Sequence, residues 1–115
     1  MKKITIYHNP RCSKSREALA ILQEKNCDIK IVEYLKKPFN TAQIQTLLKQ
    51  LQLNPIDIIR TKEPCFSELG LSKTSADAEL INAMVKNPIL IERPIVTDGE
   101  KSVVGRPPQN VFNLL

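Results

Sequence analysis

Within its first 32 residues the chain runs strand, helix, strand, with only short links between them. Lys3-Ile4-Thr5-Ile6-Tyr7 is rich in β-forming residues. A helix opening at Cys12 or Ser13 carries apolar side chains at Ala18, Leu19 and Leu22 and ends near Asn26. Ile29-Lys30-Ile31-Val32 reads as the next strand. Links this short imply a right-handed crossover and a parallel pair. The opening segment thus commits the chain to an α/β fold and leaves one cysteine at a strand-to-helix turn.

The middle of the chain has a different pattern. Pro38 breaks it, and Asn40 followed by Gln43 predicts a capped helix with Ile44, Leu47, Leu48 and Leu51 on one face. Asn54-Pro55 predicts a short helix through Ile56, Ile59 and Arg60. A helical turn is expected over Ser67 to Leu71, ending at Gly70. Ser75 is expected to cap a helix with Leu80, Ile81, Met84 and Val85 inward, stopped by Asn87-Pro88. No strand pattern occurs over residues 41–87, so this block should form a helical cap beside the sheet. Residues 94–97 and 101–104 are expected as strands joined by Asp98-Gly99, a strong hairpin signal. Val111, Phe112, Leu114 and Leu115 suggest the apolar face of a short terminal helix.

The sum is β-α-β, a helical block, then β-β-α. That order predicts a mixed four-stranded sheet of the thioredoxin kind, with the helical insertion (about 41–87) between strands 2 and 3. The expectation is one domain over residues 1–115, in keeping with the length and with 42% hydrophobic residues.

The net charge is +5, but the lysines are scattered and aromatic residues make up only 4%. Small anionic substrates fit this charge equally well, and nucleic acid is not the expected partner. No run approaches the ~18 apolar residues of a membrane span. Met1-Lys2-Lys3 leads into a strand rather than a secretory h-region, so a cytoplasmic location is expected. The three cysteines, Cys12, Cys27 and Cys65, are too few and too widely spaced for a disulfide framework. His8 is the only histidine, and no Cys/His cluster has zinc spacing. No metal site or bound cofactor is expected, and a monomer is the expected state.

Cys12 carries the chemistry to be explained. At a helix start it would meet N–H groups with no helical partner and the positive end of the helix dipole. Arg11, Lys14 and Arg16 would add to that field. Such a setting favours thiolate, the reactive form. The rival reading is a small buried hydrophobe. Ser15 stands where a C-x-x-C motif would place its second cysteine, so the resolving thiol must come from elsewhere. His8 is either part of a strand-end hydrogen-bond network or a charge that tunes Cys12. Ser15 can direct its hydroxyl at the thiolate or simply sit in the first helical turn, and Asn9 can hydrogen-bond the loop. Cys27 and Cys65 are expected to be structural or incidental.

Arg60, Arg93 and Arg106 stand apart from the lysine-rich background. Each could be a surface ion pair, Arg60 with Asp57 or Glu63 for instance. Arg93 and Arg106 flank one hairpin, however, and must lie near each other. Their planar forks suit tetrahedral oxyanions. Arg93-Pro94 also invites a cis peptide.

His8-Asn9-Pro10-Arg11-Cys12, the segment from Asn87 to Val96 containing Arg93-Pro94, and Gly105-Arg106-Pro107-Pro108 together resemble the glutaredoxin-coupled arsenate reductase family. The resemblance runs in the same order along nearly the whole chain. It implies a thioredoxin-like fold with a helical insertion, and reduction of arsenate to arsenite with glutathione and glutaredoxin as external reductants. Carried over by position, Cys12 looks like the nucleophile. Arg60, Arg93 and Arg106 look like the oxyanion-binding arginines, and His8 and Ser15 like supports for the thiolate. Two other classes share the fold: redox-responsive regulators that bind RNA polymerase, and glutaredoxin-like enzymes acting on another substrate. The regulators typically carry C-x-x-C where this chain has Cys12-x-x-Ser15.

Overall fold

The computed structural model describes residues 1–115. The chain divides into two compact units, one made of Met1–Lys37 and Arg93–Leu115, the other of Pro38–Glu92. The first unit holds all four strands: Lys3–Tyr7 (β1), Asp28–Val32 (β2), Ile95–Thr97 (β3) and Ser102–Val104 (β4). They form a mixed sheet in the order β2-β1-β3-β4. β1 and β2 are parallel, whereas β3 runs antiparallel to both β1 and β4. This is the thioredoxin-like arrangement expected from the element order.

The helix Ser13–Glu24 (α1) turns Ser15, Ala18 and Leu22 inward. Alternation along β1 buries Ile4 and Ile6. Those residues join Ala18, Leu22, Val96, Val111 and Leu114 in one apolar cluster. Burying each large aliphatic side chain there contributes about 1.5–3 kcal/mol. The terminal segment Pro108–Leu114 is a 3-10 helix. Its three-residue period aligns Pro108, Val111 and Leu114 on the buried face. Phe112 and Leu115, expected on that face from an α-helical period, are 45% and 44% exposed.

In the second unit the helix Thr41–Leu51 (α2) starts with the expected capping box. Asn40 Oδ1 accepts from the Gln43 N–H at 2.8 Å, and Gln43 Oε1 accepts from the Asn40 N–H at 2.9 Å. Pro55–Ile58 is a 3-10 turn, not a helix reaching Arg60. Ile59 instead makes an isolated antiparallel bridge to Ile91, which straightens the chain there. The helix Pro64–Glu68 (α3) begins earlier than the expected 67–71, because Pro64 suits a first helical position and has no N–H to lose. The helix Asp77–Lys86 (α4) has Ala76 at its N-cap. Ser75 does not cap it; the Ser75 hydroxyl accepts from the Ser72 N–H at 2.9 Å in the preceding turn. Leu80, Ala83 and Met84 are buried, while Ile81 and Val85 are only half-buried. α4 packs against α2 and against the 3-10 turns Pro55–Ile58 and Pro88–Leu90. No helix is long and apolar enough to cross a membrane.

Candidate active site

The sheet register gathers the reactive segments at one end of the first unit. Tyr7 pairs with Val32 on one side and with Ile95 on the other, and Ile95 pairs with Val104. One or two residues beyond that row lie His8 at the end of β1, Tyr34 after β2, Arg93-Pro94 before β3, and Gly105-Arg106 after β4. The ladder continues past the strands: the His8 N–H donates to the Val32 carbonyl and the Gly105 N–H to the Pro94 carbonyl, both at 2.8 Å. Gly105 is required there by space. A Cβ at this position would come within 2.8 Å of Pro94 Cγ. Arg93-Pro94 and Arg106-Pro107 are both cis.

The loop before α1 is held by its own groups. Asn9 Oδ1 accepts from the Arg11 N–H at 3.0 Å, and the Cys12 N–H donates to the Asn9 carbonyl at 3.0 Å. Cys12 is the N-cap of α1, and its carbonyl takes the first helical bond, from the Arg16 N–H. The next N–H groups have no helical acceptor. Those of Ser15 and Lys14 are close enough to stabilise negative charge on the Cys12 sulfur. Partial burial pushes the thiol up, but these N–H groups and the Arg93 guanidinium outweigh it and hold Cys12 below the usual thiol range. Arg106 Nη1 lies 3.9 Å from Cys12 Sγ and 3.5 Å from the Arg93 carbonyl.

Two of the three cations expected to act on Cys12 from its own loop, Lys14 and Arg16, are occupied elsewhere. Lys14 pairs with Glu17 at 3.6 Å, and Arg16 Nη1 donates to the Pro10 carbonyl at 3.0 Å. The guanidinium that pulls on the thiol is Arg93, from the far end of the sequence. Arg93 Nε and Nη1 are buried and hydrogen-bond to no protein atom. The same guanidinium lies close to the Tyr34 hydroxyl, on a side chain only 1% exposed. Tyr34 was invisible in the sequence: one tyrosine after a strand carries no motif, and only the β2–β1–β3 pairing brings it to Arg93.

His8 and Ser15 meet. His8 Nδ1 lies 2.6 Å from Ser15 Oγ, which also accepts from the Asn9 N–H at 3.0 Å. Ser15 is fully buried, and its hydroxyl faces His8 rather than solvent. Burial lowers the His8 pKa from its ordinary value; Glu33 opposes this and Arg16 adds to it. Burial thus favours the neutral imidazole, which is linked through Ser15 to the loop that precedes Cys12.

Arg60 belongs to the second unit. Its Nε donates to Glu63 Oε1 at 3.2 Å, and Nη1 lies 3.8 Å from Glu92 Oε2. Its N–H donates to the Leu90 carbonyl at 2.7 Å. The ion pair with Glu63 was one expectation for this residue; Asp57, the other candidate partner, instead accepts from the Asn54 N–H at 2.9 Å. Cys27 packs against the apolar cluster of the first unit. Burial, followed by the charges of Glu63 and Glu68, pushes the Cys65 thiol up, the opposite direction from Cys12.

A nucleophilic sulfur facing N–H groups and two guanidiniums can attack a small anion and stabilise the oxygen that leaves it. The comparisons point the same way. A model of the ArsC family matches residues 7–114. An Escherichia coli protein described as uncharacterized protein YfgD is 46% identical over 99% of this chain and 98% of its own length. An arsenate reductase of Haemophilus influenzae is 40% identical over 97% of this chain and 98% of its own length. Among solved structures, an arsenate reductase from Vibrio cholerae superposes with a TM-score of 0.95 at 39% identity, covering 99% of this chain and 98% of that one.

Proposed function

Since the chain belongs to the ArsC family, we propose that it reduces arsenate to arsenite through the Cys12 thiolate, with glutathione and glutaredoxin as reductants. The observation that carries this reading is the meeting of Cys12 Sγ with Arg93 and Arg106 at a helix start. Arsenate and a thiolate repel each other. Guanidiniums offset that repulsion and stabilise charge developing on oxygen.

In the first step Cys12 attacks arsenic, an S–As bond forms and hydroxide leaves. Arg93 and Arg106 bind the oxyanion, and the family resemblance adds Arg60 as a third arginine. A glutathione thiolate then attacks the Cys12 sulfur. An S–S bond forms, the S–As electron pair passes to arsenic, and arsenite leaves. Glutaredoxin opens the resulting mixed disulfide by thiol exchange and returns the Cys12 thiolate. Ser15 at the C-x-x-C position supplies no internal resolving thiol, which favours an external one. His8 and Ser15 support the thiolate through the loop they hold together. A reducing cytoplasm suits three free thiols.

The test is arsenate-dependent NADPH oxidation in the presence of glutathione, glutaredoxin and glutathione reductase. Turnover that vanishes in Cys12→Ser is expected. A wild-type rate equal to the protein-free control would remove the arsenate reading, and turnover with thioredoxin but not glutaredoxin would replace the reductant.

A further inference from the structure

The groups around the Cys12 sulfur divide into two kinds. The N–H groups of Ser15 and Lys14 and the Arg93 guanidinium stabilise the thiolate itself. Arg106 is exposed, and its Nη1 is shared between Cys12 Sγ at 3.9 Å and the Arg93 carbonyl at 3.5 Å. Both contacts are at the long limit of hydrogen bonding, and they place Nη1 where it can also meet an oxygen beside the sulfur. Arg93 Nε and Nη1 are further buried donors bonded to no protein atom. Such donors gain from any acceptor that reaches them.

A thiolate flanked by donors for a departing oxygen is not restricted to arsenic as its target. What it requires is an electrophilic atom bonded to an oxygen leaving group. A hydroperoxide meets that requirement with its O–O bond. It is small and neutral, so no charge repulsion must be offset by a third cation. Cys12, Arg93 and Arg106 all belong to the same compact unit. From this geometry we propose that Cys12 has a second activity, the reduction of hydroperoxides at the expense of a small-molecule thiol.

The chemistry balances as follows. The Cys12 thiolate attacks the terminal oxygen of ROOH; the S–O bond forms and the O–O bond breaks. Sulfur gives up two electrons and becomes a sulfenic acid. RO⁻ leaves beside Arg106 and takes a proton from solvent to give ROH. A thiol such as glutathione condenses with the sulfenic acid, forming a mixed disulfide and releasing water. A second thiol attacks the small-molecule sulfur of that disulfide; the S–S bond to Cys12 breaks, the Cys12 thiolate returns and the two small thiols leave as their disulfide. Ser15 in place of a nearby cysteine means that the sulfenic acid waits for the external thiol. This proposal shares with the arsenate reading the Cys12 nucleophile, the Arg93 and Arg106 donors and an external thiol, but it requires neither arsenate nor glutaredoxin.

The test must separate this activity from the reactivity of any acidic thiol. The reduced full-length protein is treated with hydrogen peroxide, and Cys12 sulfenic acid is trapped with dimedone and timed by mass spectrometry. Alkylation of Cys12 by iodoacetamide is timed in parallel. It reports thiolate content, but its leaving group is iodide and needs no donor to oxygen. The ratio of peroxide to alkylation rates is expected to exceed that of free cysteine at least about 10-fold, and Arg106→Ala to lower it about 10-fold. A wild-type ratio equal to that of free cysteine overturns the proposal. So does an Arg106→Ala variant in which both rates fall together, since Arg106 would then act only on the thiolate. Peroxide consumption with glutathione in the absence of arsenate is the steady-state counterpart. Its failure leaves arsenate turnover standing, and failure of arsenate turnover leaves the peroxide ratio measurable.

Discussion

Arg106 Nη1 lies 3.9 Å from the Cys12 sulfur although 94 positions of sequence separate the two residues. Arg93 meets the same sulfur and also lies close to the buried Tyr34 hydroxyl. The two arginines should therefore be separable by experiment. Arg93→Ala is expected to raise the Cys12 pKa, followed by thiolate absorbance in the ultraviolet, and to slow both alkylation and arsenate turnover. Arg106→Ala is expected to leave the alkylation rate close to wild type and to lower kcat/KM for arsenate about 10–100-fold. Tyr34→Phe, which removes only the hydroxyl, should act in the direction of Arg93→Ala and add nothing in an Arg93→Ala background. Equal effects of Tyr34→Phe in both backgrounds would uncouple the pair.

Ser15 supplies the one oxygen that meets both His8 Nδ1 and the Asn9 N–H. Ser15→Ala leaves a buried donor and a ring nitrogen without that partner. The expected cost is about 1–3 kcal/mol, seen as a Tm lower by roughly 4–12 °C. Ser15→Thr keeps the hydroxyl but adds a methyl group at a site with no exposed surface. It should restore the hydrogen bonds and still melt below wild type.

Gly105→Ala brings a Cβ within 2.8 Å of Pro94 Cγ and 3.3 Å of Pro94 Cδ. A proline ring cannot swing aside, so the loop carrying Arg106 must shift. Overpacking of this kind costs about 1–3 kcal/mol, and kcat/KM should fall by more than 10-fold because a donor misplaced by about 1 Å loses that much. Thermal melting and steady-state kinetics together check both parts. Unchanged kinetics would show that the Arg106 loop does not depend on this close approach.

The pH dependence of stability follows from Cys12. Its pKa is lowered in the folded protein, so the thiolate contribution is complete above the unfolded value of about 8.5 and is lost as pH falls through the folded value. Between those two values the unfolded chain binds more protons, and unfolding free energy should rise with pH. Cys12→Ser should remove that slope in chemical denaturation measured across the interval. A slope that persists in Cys12→Ser would assign it to another group.

Cysteine selectivity gives an independent check. Burial and the charges of Glu63 and Glu68 hold Cys65 up as a thiol, whereas Cys12 is held down. At neutral pH and limiting iodoacetamide, mass spectrometry should find Cys12 labelled well before Cys65. Cys27→Ser and Cys65→Ser should retain arsenate turnover. Loss of turnover in Cys65→Ser would make it a resolving thiol.

Local chemistry was legible from the sequence wherever neighbours in the chain decide it. The β-α-β start, the Asn40–Gln43 capping box, the hairpin after β3 and the place of Cys12 at a helix start all depend on residues within a few positions of one another. Local reading failed where a rival partner or a different period prevailed. Ser75 bonds to Ser72 instead of capping α4, and the terminal segment adopts a three-residue period that exposes Phe112.

The electrostatics of Cys12 lay beyond that reach. By charge count, Arg11, Lys14 and Arg16 were the natural cations for the thiol. Lys14 and Arg16 are instead taken up by Glu17 and the Pro10 carbonyl. Arg93 and Arg106 take their place because the row Val32–Tyr7–Ile95–Val104 aligns four strand ends across the sheet. The sequence alone determined that a thiol would stand at a helix start with no cysteine beside it to form a disulfide. Only the tertiary structure decided which charges reach that thiol: Coulomb interactions act through space, and strand pairing sets distances that sequence separation does not.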